Sequence, residues 1–278
     1  MRIGIIGAGK VGVSLGLYLA KKMTIIGLYD VNQTAAQNGA SLIKTDCFSN
    51  LETLVETSDL LFLTVTDDAI KPVWEQILAF NMAGKIICHC SGALTSEVFV
   101  GIEERGAYGY SVHPAMTISH HSAVAEIAVA PIVIEGGEER LDEVASLFRT
   151  MGNTIHLLRA EHKVRYHAAA VFASNFIVAL AQISTELLAE CGFDEDGQQI
   201  FLPLMQASTH NIVKNGLVNA LTGPVERGDL ATIEKHLTDL SGDNLELYRL
   251  LSEKITKVAS TKNPERNYAD LTEVLSKK

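Results

Sequence analysis

The sequence of 278 residues predicts an α/β fold, in which a doubly wound parallel sheet is followed by an all-helical region. Short apolar segments alternate with helical segments up to about residue 158. The first apolar segment runs directly into a glycine-rich turn at residues 7–12, and no convincing strand follows Glu161. We therefore expect two domains, a sheet domain at 1–158 and a helical domain at 159–278.

The glycine-rich turn follows a short buried strand, expected at residues 2–6, and precedes a helix expected at 13–22. Strand, G-x-G-x-x-G and helix in this order form the dinucleotide-binding fingerprint of the Rossmann fold. Gly7 permits the tight turn, Gly9 lets the backbone approach a pyrophosphate, and Gly12 lets the helix pack closely on the strand. The turn is predicted to bind NAD(P)H through Gly7, Ala8, Gly9, Lys10, Val11 and Gly12.

Asp30 ends the second expected strand, at 23–29, and lies 18 residues after Gly12. An acidic residue in this place accepts the ribose 2′-hydroxyl of NAD and repels the 2′-phosphate of NADP. No arginine follows Asp30 closely, so the sequence favours NAD over NADP. Asp30 could also cap the next helix, and the two roles are compatible.

The alternation continues through six more expected strands, at 41–45, 59–65, 85–90, 107–112, 131–134 and 154–158. The helices between them are expected at 50–57, 69–80, 95–105 and 138–151, with Asp67 or Asp68 capping the second. Ligands of such sheets bind beyond the carboxyl ends of the strands. Thr66, Ser91 with Gly92, and His113 all follow strands, and we expect them to line one crevice with the glycine turn and Asp30.

The helical region is expected to contain helices at 161–191, 196–215, 230–240, 244–259 and 268–275. The first carries a polar stripe, because His167, Ser174, Asn175 and Gln182 fall within an arc of roughly 100° on one continuous helix. We assign function to His167 and Asn175, and backbone hydrogen bonding to Ser174 and Gln182. The uncharged stretch 168–185 is near the lower limit for a membrane span, but we expect it to be buried in its own domain or against a second subunit.

The loop at 221–229 displays Arg227 beside a glycine, before a helix that Asp229 should cap. A guanidinium is suited to hold a carboxylate, although a surface arginine is the simpler interpretation. The net charge of −10 argues against nucleic acid or an anionic membrane as the main partner. No leader precedes the first strand and the four cysteines have no metal-site spacing, so we expect a cytoplasmic protein with reduced thiols and no bound metal.

The assembled pattern resembles a bacterial family with a Rossmann-like domain followed by a helical domain named DUF2520. The resemblance rests on the motifs at 89–93, 111–114, 166–170 with 174–175, and 221–229. The family is similar to ketopantoate reductases, 3-hydroxyisobutyrate dehydrogenases and 6-phosphogluconate dehydrogenases. That wider group has a catalytic lysine four residues before an asparagine. Asn175 matches the asparagine, but Val171 stands in the lysine position.

The resemblance implies an NAD(P)H-dependent reductase of a small 2-oxo acid or related carbonyl, with ketopantoate as the best single substrate guess. It also implies that the helical domain at 159–278 binds substrate and makes a dimer. His167 or His113 would protonate the developing alkoxide. Asn175 would orient the carbonyl, Arg227 would hold a carboxylate, and Ser91 would contact the nicotinamide or substrate. Two alternatives remain open: a prephenate-type dehydrogenase, from the His-Pro-Ala-Met turn at 113–116, and a non-catalytic NAD(P)-binding regulator, from the missing lysine.

Overall fold

The computed structural model describes residues 1–193 and 196–277. The chain divides into two compact units, Met1–Asn175 and Phe176–Lys278. The first unit contains the whole sheet and also the helix that follows the last strand. The domain boundary expected after residue 158 stays a prediction.

The sheet has eight strands in the order β3-β2-β1-β4-β5-β6-β7-β8. They are β1 (Arg2–Ile6), β2 (Thr24–Tyr29), β3 (Asp46–Cys47), β4 (Leu60–Leu63), β5 (Ile86–His89), β6 (Tyr108–Pro114), β7 (Ile132–Gly136) and β8 (Ile155–Leu157). Strands β1 to β6 are parallel, whereas β7 runs antiparallel to β6 and parallel to β8. Strands β1, β2 and β3 extend to one side of the sheet, and the chain then returns to place β4 on the other side of β1. This reversal of strand order creates a topological switch point between β1 and β4.

The helices of the first unit cover both faces of the sheet. They are α1 (Lys10–Leu19), α2 (Gln33–Ile43), α3 (Leu51–Thr57), α4 (Asp67–Ile77), α5 (Val124–Val129), α6 (Leu141–Met151) and α7 (Lys163–Ala173). Helices α1, α5 and α6 contribute to one core and α3 and α4 to the opposite core. The strands between them are buried on both sides, which explains their continuous apolar sequence. The predicted fold class is confirmed.

The expected strand at 41–45 is wrong, because helix α2 continues to Ile43. The helix ends at Lys44, which adopts a left-handed conformation with φ of 62°. A short apolar run fits a buried helix end as well as a strand, so periodicity did not separate the two. The true third strand is the two-residue β3. The cap of α2 is Asn32, whose side chain accepts a hydrogen bond from Ala35 N at 3.1 Å, and not Asp30.

The expected helix at 95–105 is also wrong, since it is a single 3₁₀ turn at Ser96–Val98 followed by turns. Gly101 and Gly106 have positive φ values of 78° and 64°, which break a helix. Helix α4 begins at Asp67, with Thr66 as the N-cap residue. Its two aspartates therefore lie in the first turn instead of capping the helix. Their negative charges interact favourably with the positive end of the helix dipole. Helix α5 was not predicted.

The long helix expected at 161–191 is interrupted at Ser174, where φ is −131° and ψ is −72°. The break separates α7 from α8 (Asn175–Glu190). The proposed polar stripe is therefore not continuous, because its calculation assumed one unbroken helix.

The second unit contains only helices among its described residues. After α8 come α9 (Gly197–Ala220), α10 (Pro224–Arg227), α11 (Leu230–Asp239), α12 (Gly242–Lys262) and α13 (Ala269–Ser276). Helix α9 is kinked at Gly216, where φ is 76°. The small core of the second unit is formed by α10 to α13 around Val225, Ile233 and Tyr268. Asp229 caps α11 as predicted, because its side chain accepts from Thr232 N at 3.2 Å.

Helices α8 and α9 expose much apolar surface. Val178 is 71% exposed, Leu204 is 68% exposed and Val213 is 86% exposed. The stretch Ala160–Glu190 is long and apolar enough to cross a membrane, and none of its most apolar window is buried within the chain. Length and composition alone are weak evidence for a span, since core helices of soluble proteins meet the same criteria. The expected burial of this stretch inside its own domain is not observed.

Candidate active site

The turn between β1 and α1 has the geometry that its glycines predict. Gly7 has a φ of 114°, and its N–H donates to Tyr29 O at 2.8 Å. A Cβ on Gly12 would lie 2.0 Å from Gly7 O. No described atom lies within 4 Å of a Cβ built on Gly9, so the backbone there is open. Helix α1 begins directly after Gly9, which has no side chain to cap it, and its first N–H groups can bind an anion.

Thr64 braces this turn, a role that sequence reasoning missed. Its hydroxyl donates to Gly7 O at 2.9 Å and also contacts Ile6 O at 3.2 Å. The side chain is 8% exposed at the end of β4. Thr64 is a polar residue that directly follows an apolar strand. That pattern could have identified its role from the sequence. The remaining predicted cofactor residues, Lys10, Val11 and Thr66, lie at the same edge of the sheet and are exposed or half-buried.

The Asp30 carboxylate is fixed against the glycine turn. One oxygen accepts from Ala8 N at 2.7 Å and the other from Asn32 N at 2.8 Å. The side chain is half-buried at the carboxyl end of β2. A negative charge is thus held beside the turn by two backbone donors, in the place where a ribose would follow the pyrophosphate.

Ser91 follows β5 and organises the turn after it. Its hydroxyl donates to Asp67 Oδ2 at 2.8 Å and accepts from Ala93 N and Leu94 N at 3.1 and 3.0 Å. Its backbone N–H donates to His89 Nδ1 at 3.2 Å. Ser91 is 6% exposed, and its hydroxyl is already occupied by these bonds. This geometry favours a structural use of Ser91, which holds the next residue, Gly92, in place.

Gly92 lies beside two imidazoles. A Cβ built on it would be 2.6 Å from His167 Nδ1 and 3.0 Å from His113 Nε2. Two ring nitrogens from different elements, the end of β6 and helix α7, therefore converge on one point. His167 Nδ1 is buried and has no hydrogen-bond partner among the described residues. Both histidines that the sequence predicted are brought together, and only glycine fits between them.

Tyr166 joins this cluster and was not predicted. Its hydroxyl lies 2.7 Å from His113 Nδ1, and the two rings meet edge to face with centroids 5.7 Å apart. Tyr166 immediately precedes His167 in the motif at 166–170, so an aromatic hydroxyl next to a candidate histidine was a signal that could have been used.

Lys163 is fully buried at the start of α7 and was likewise missed. Its Nζ donates to Ser111 Oγ at 2.5 Å, and Ser111 in turn donates to Ser91 O at 3.2 Å. The ammonium lies 5.8 Å from the centroid of the Tyr166 ring. Burial lowers the pKa of Lys163 to about 8, and nearby Glu135 opposes that change. A lysine at the start of the helix that carries the candidate His167 was the available signal.

The environment keeps two imidazoles neutral. Burial, followed by repulsion from Lys163 and His167, lowers the pKa of His113 to about 4. Burial lowers the pKa of His89 to about 4 as well, although its contact with Thr95 O acts in the opposite direction. His113 is therefore uncharged near neutral pH and can both accept and donate a hydrogen bond.

The other two predicted catalytic residues are more exposed. Asn175 is the first residue of α8, and its side-chain oxygen accepts from Ser174 Oγ at 3.0 Å. Arg227 belongs to the second unit, is 59% exposed and lies 3.9 Å from Asp229. Their functional roles stay predictions.

Two family models match the chain. Residues 1–114 match a Rossmann-like domain, and residues 130–255 match the domain of unknown function DUF2520. This pair is the one that the sequence motifs indicated. No curated protein matches the chain.

Solved structures of similar fold cover nearly the whole chain. Protein TM1727 from Thermotoga maritima is 27% identical, with a TM-score of 0.77 over 94% of this chain and 99% of its own. BF3122 from Bacteroides fragilis, described as an NADP oxidoreductase, is 24% identical, with a TM-score of 0.68 over 92% and 98%. A reductive aminase from Aspergillus terreus, in complex with NADPH and ethyl-5-oxohexanoate, is 16% identical, with a TM-score of 0.63 over 95% and 99%.

Proposed function

We propose that this chain, which carries a Rossmann-like domain followed by a DUF2520 domain, is an NAD(P)H-dependent reductase of a small 2-oxo acid. One observation carries the proposal. The open glycine turn follows β1, and the cluster of His113, Tyr166 and His167 is built on His113 near the end of β6, at the same edge of the sheet. The first can hold a dinucleotide and the second can exchange protons, which are the two requirements of carbonyl reduction.

The turn fits a dinucleotide. Gly9 leaves open space where a pyrophosphate would approach, and the first N–H groups of α1 face that space with the positive end of the helix dipole. A Cβ on Gly12 would strike Gly7 O, so the close packing of helix on strand depends on glycine. When bound, a reduced nicotinamide supplies a hydride. The residues at 7–12 would hold its pyrophosphate.

The charge of Asp30 supports NAD over NADP. Its carboxylate is held in place by Ala8 N and Asn32 N and lies beside the turn. A ribose 2′-hydroxyl can donate to a carboxylate, whereas a 2′-phosphate would be repelled by it. The similarity to BF3122, described as an NADP oxidoreductase, points the other way. We give more weight to Asp30, because it is a property of this chain.

His113 and His167 supply the proton that the carbonyl oxygen gains. Both converge on Gly92, and the unpartnered Nδ1 of His167 is available to a bound molecule. In the proposed complex Asn175 orients the carbonyl. Ser91 and Asp67 hold the Gly92 turn in place by their hydrogen bond of 2.8 Å.

Steady-state oxidation of NADH and NADPH tests the proposal. The substrate panel contains ketopantoate, other small 2-oxo acids, prephenate with NAD⁺, and a ketone mixed with an amine. We expect turnover with a 2-oxo acid, ketopantoate first, and a loss of 10²–10⁴-fold in His167→Asn, the range of general acid catalysis. His156→Asn, at an exposed position on edge strand β8, is the matched control and should retain activity. Tight cofactor binding without turnover of any substrate would instead identify a regulator.

The exposed apolar faces of α8 and α9 support a homodimer. Val178, Leu204 and Val213 are largely exposed, and patches of this kind on two long helices are unusual for a free monomer. We expect light scattering after size-exclusion chromatography to give twice the chain mass of 30.1 kDa. Val213→Glu should give a monomer. A monomeric wild-type protein at micromolar concentration, or one that floats with lipid vesicles, contradicts this assignment.

A further inference from the structure

The Tyr166 hydroxyl is a polar group beside His113 that has no part in the proposed function above. It lies 2.7 Å from His113 Nδ1, and the tyrosine is half-buried rather than enclosed. We propose that Tyr166 gives the proton directly to the substrate oxygen, and that His113 and His167 form a relay that restores it. This inference rests on the proposed reductase function and adds a catalytic residue to it.

The contacts of His113 favour a relay over direct donation. Its Nδ1 is engaged with Tyr166, and its Nε2 points to Gly92, where His167 Nδ1 also lies. The charged groups around the ring are Lys163 and Asp67, and its neutral neighbours include His89. A neutral imidazole that is bonded on one nitrogen can pass a proton by gaining it on Nε2 and losing it from Nδ1.

The transfer balances without any charged form of His113. A bound reduced nicotinamide would supply the hydride that the carbonyl carbon gains, and the carbonyl oxygen gains its proton when the Tyr166 O–H bond breaks. The phenolate oxygen takes the proton of His113 Nδ1. His113 Nε2 gains one from His167 Nδ1 once the two rings, which converge on Gly92 without a hydrogen bond in this structure, come within bonding distance. His167 is half-buried, and water restores its proton. The imidazole of His113 changes tautomer and remains neutral.

Lys163 is a positioning residue for this relay. Its bond to Ser111 joins the start of α7 to β6, and Tyr166 follows one turn later on the same helix. The ammonium lies 5.8 Å from the tyrosine ring, so its charge favours the phenolate that forms in transit. Burial raises the pKa of Tyr166, and the hydroxyl therefore keeps its proton until the more basic alkoxide develops.

The test compares Tyr166→Phe with Tyr248→Phe. Tyr248 makes the same kind of pair, since its hydroxyl lies 2.8 Å from His236 Nδ1 and the rings meet at 88°. We expect Tyr166→Phe to lower kcat by about 10²–10⁴-fold. The double variant Tyr166→Phe/His113→Asn should have the same kcat as Tyr166→Phe alone, because the effects of residues that act as a unit are not additive. NADH affinity, measured by fluorescence, should change less than twofold. Tyr248→Phe should match the wild type.

A second readout does not depend on turnover. Nitrogen-15 NMR of the histidine rings should show that Tyr166→Phe shifts the His113 signals and leaves those of His89 unchanged. An active wild type with an equally active Tyr166→Phe variant overturns this inference and leaves the reductase function standing. Unshifted His113 signals overturn the pairing on which it rests. A wild type that turns over no substrate overturns the reductase function itself, and Tyr166 loses its role with it.

Discussion

Two alanine substitutions in the glycine turn should affect different properties, since Gly12→Ala should lower stability and Gly9→Ala should lower cofactor affinity. The Cβ of Gly12→Ala would lie 2.0 Å from Gly7 O and 2.4 Å from Thr64 Oγ1. Since the first of these is a backbone atom, the strand and helix must move apart. Overpacking costs about 1–3 kcal/mol, and a rigid neighbour favours the upper end. For a unit of this size, about 3 kcal/mol corresponds to a Tm lowered by roughly 6–12 °C.

Gly9→Ala is the matched variant. Its φ of −73° and ψ of −176° are allowed for any residue, and no described atom lies within 4 Å of the added methyl group. The free energy of unfolding should therefore change by less than about 0.5 kcal/mol. The methyl group occupies the space where a pyrophosphate would approach, so NADH affinity should fall at least about tenfold, or about 1.4 kcal/mol.

Thermal unfolding followed by circular dichroism and NADH titration followed by fluorescence measure the two effects separately. A Gly9→Ala protein that binds NADH like the wild type would refute the assignment of this turn to the pyrophosphate. A Gly12→Ala protein with an unchanged Tm would refute the steric argument. If both variants unfold at lower temperature, Gly9 has a structural role that its open surroundings do not indicate.

Three further predictions concern charge, pH and buried polar groups. Asp30→Asn removes the charge beside the turn and should raise affinity for NADPH relative to NADH by about tenfold in a fluorescence titration, whereas an unchanged ratio would contradict the NAD preference. Because the pKa values of His89 and His113 are lowered to about 4 in the folded protein, the unfolded chain binds protons first as the pH falls. Stability in urea should therefore be full above about pH 6.5 and be lost between there and about pH 4, and a flat profile would contradict the burial of these rings. Asn153→Ala leaves the Ala130 carbonyl without its partner and removes one of two partners from the Tyr18 hydroxyl and from the Ile127 carbonyl. It should cost about 1–3 kcal/mol in the same assay, against little change for the exposed Asn219→Ala.

The parts of the fold that were predicted correctly are those with a strong local signal. Strand β1, the glycine turn and α1 follow from residue type and order, since the roles of Gly7 and Gly12 are fixed by backbone conformation and close packing. The expected strand at 41–45 and helix at 95–105 failed where the local signal was weak. The first was the apolar end of a helix. The second contained Gly101 and was followed directly by Gly106, and both glycines have positive φ.

The break at Ser174 had a different cause. Helical periodicity assumes one continuous axis, and residues 161–191 contain no proline or glycine that would predict an interruption. The stripe from His167 to Gln182 therefore joined residues that belong to two helices. His167 was still a good candidate, but for a reason that the stripe did not contain, namely its approach to Gly92.

The sequence by itself determined the alternation of strands and helices, the glycine turn, the acidic residue that follows β2 and the histidine near the end of β6. Each depends on residues close together in the chain, where backbone sterics and side-chain chemistry act directly. Only the tertiary structure decided that Tyr166 pairs with His113 and that Lys163 is buried on Ser111. These partners lie more than fifty residues apart in sequence, and the packing of α7 on β6 brings them together. The proton-exchanging half of the site is thus a product of packing, whereas the glycine turn is a product of local sequence.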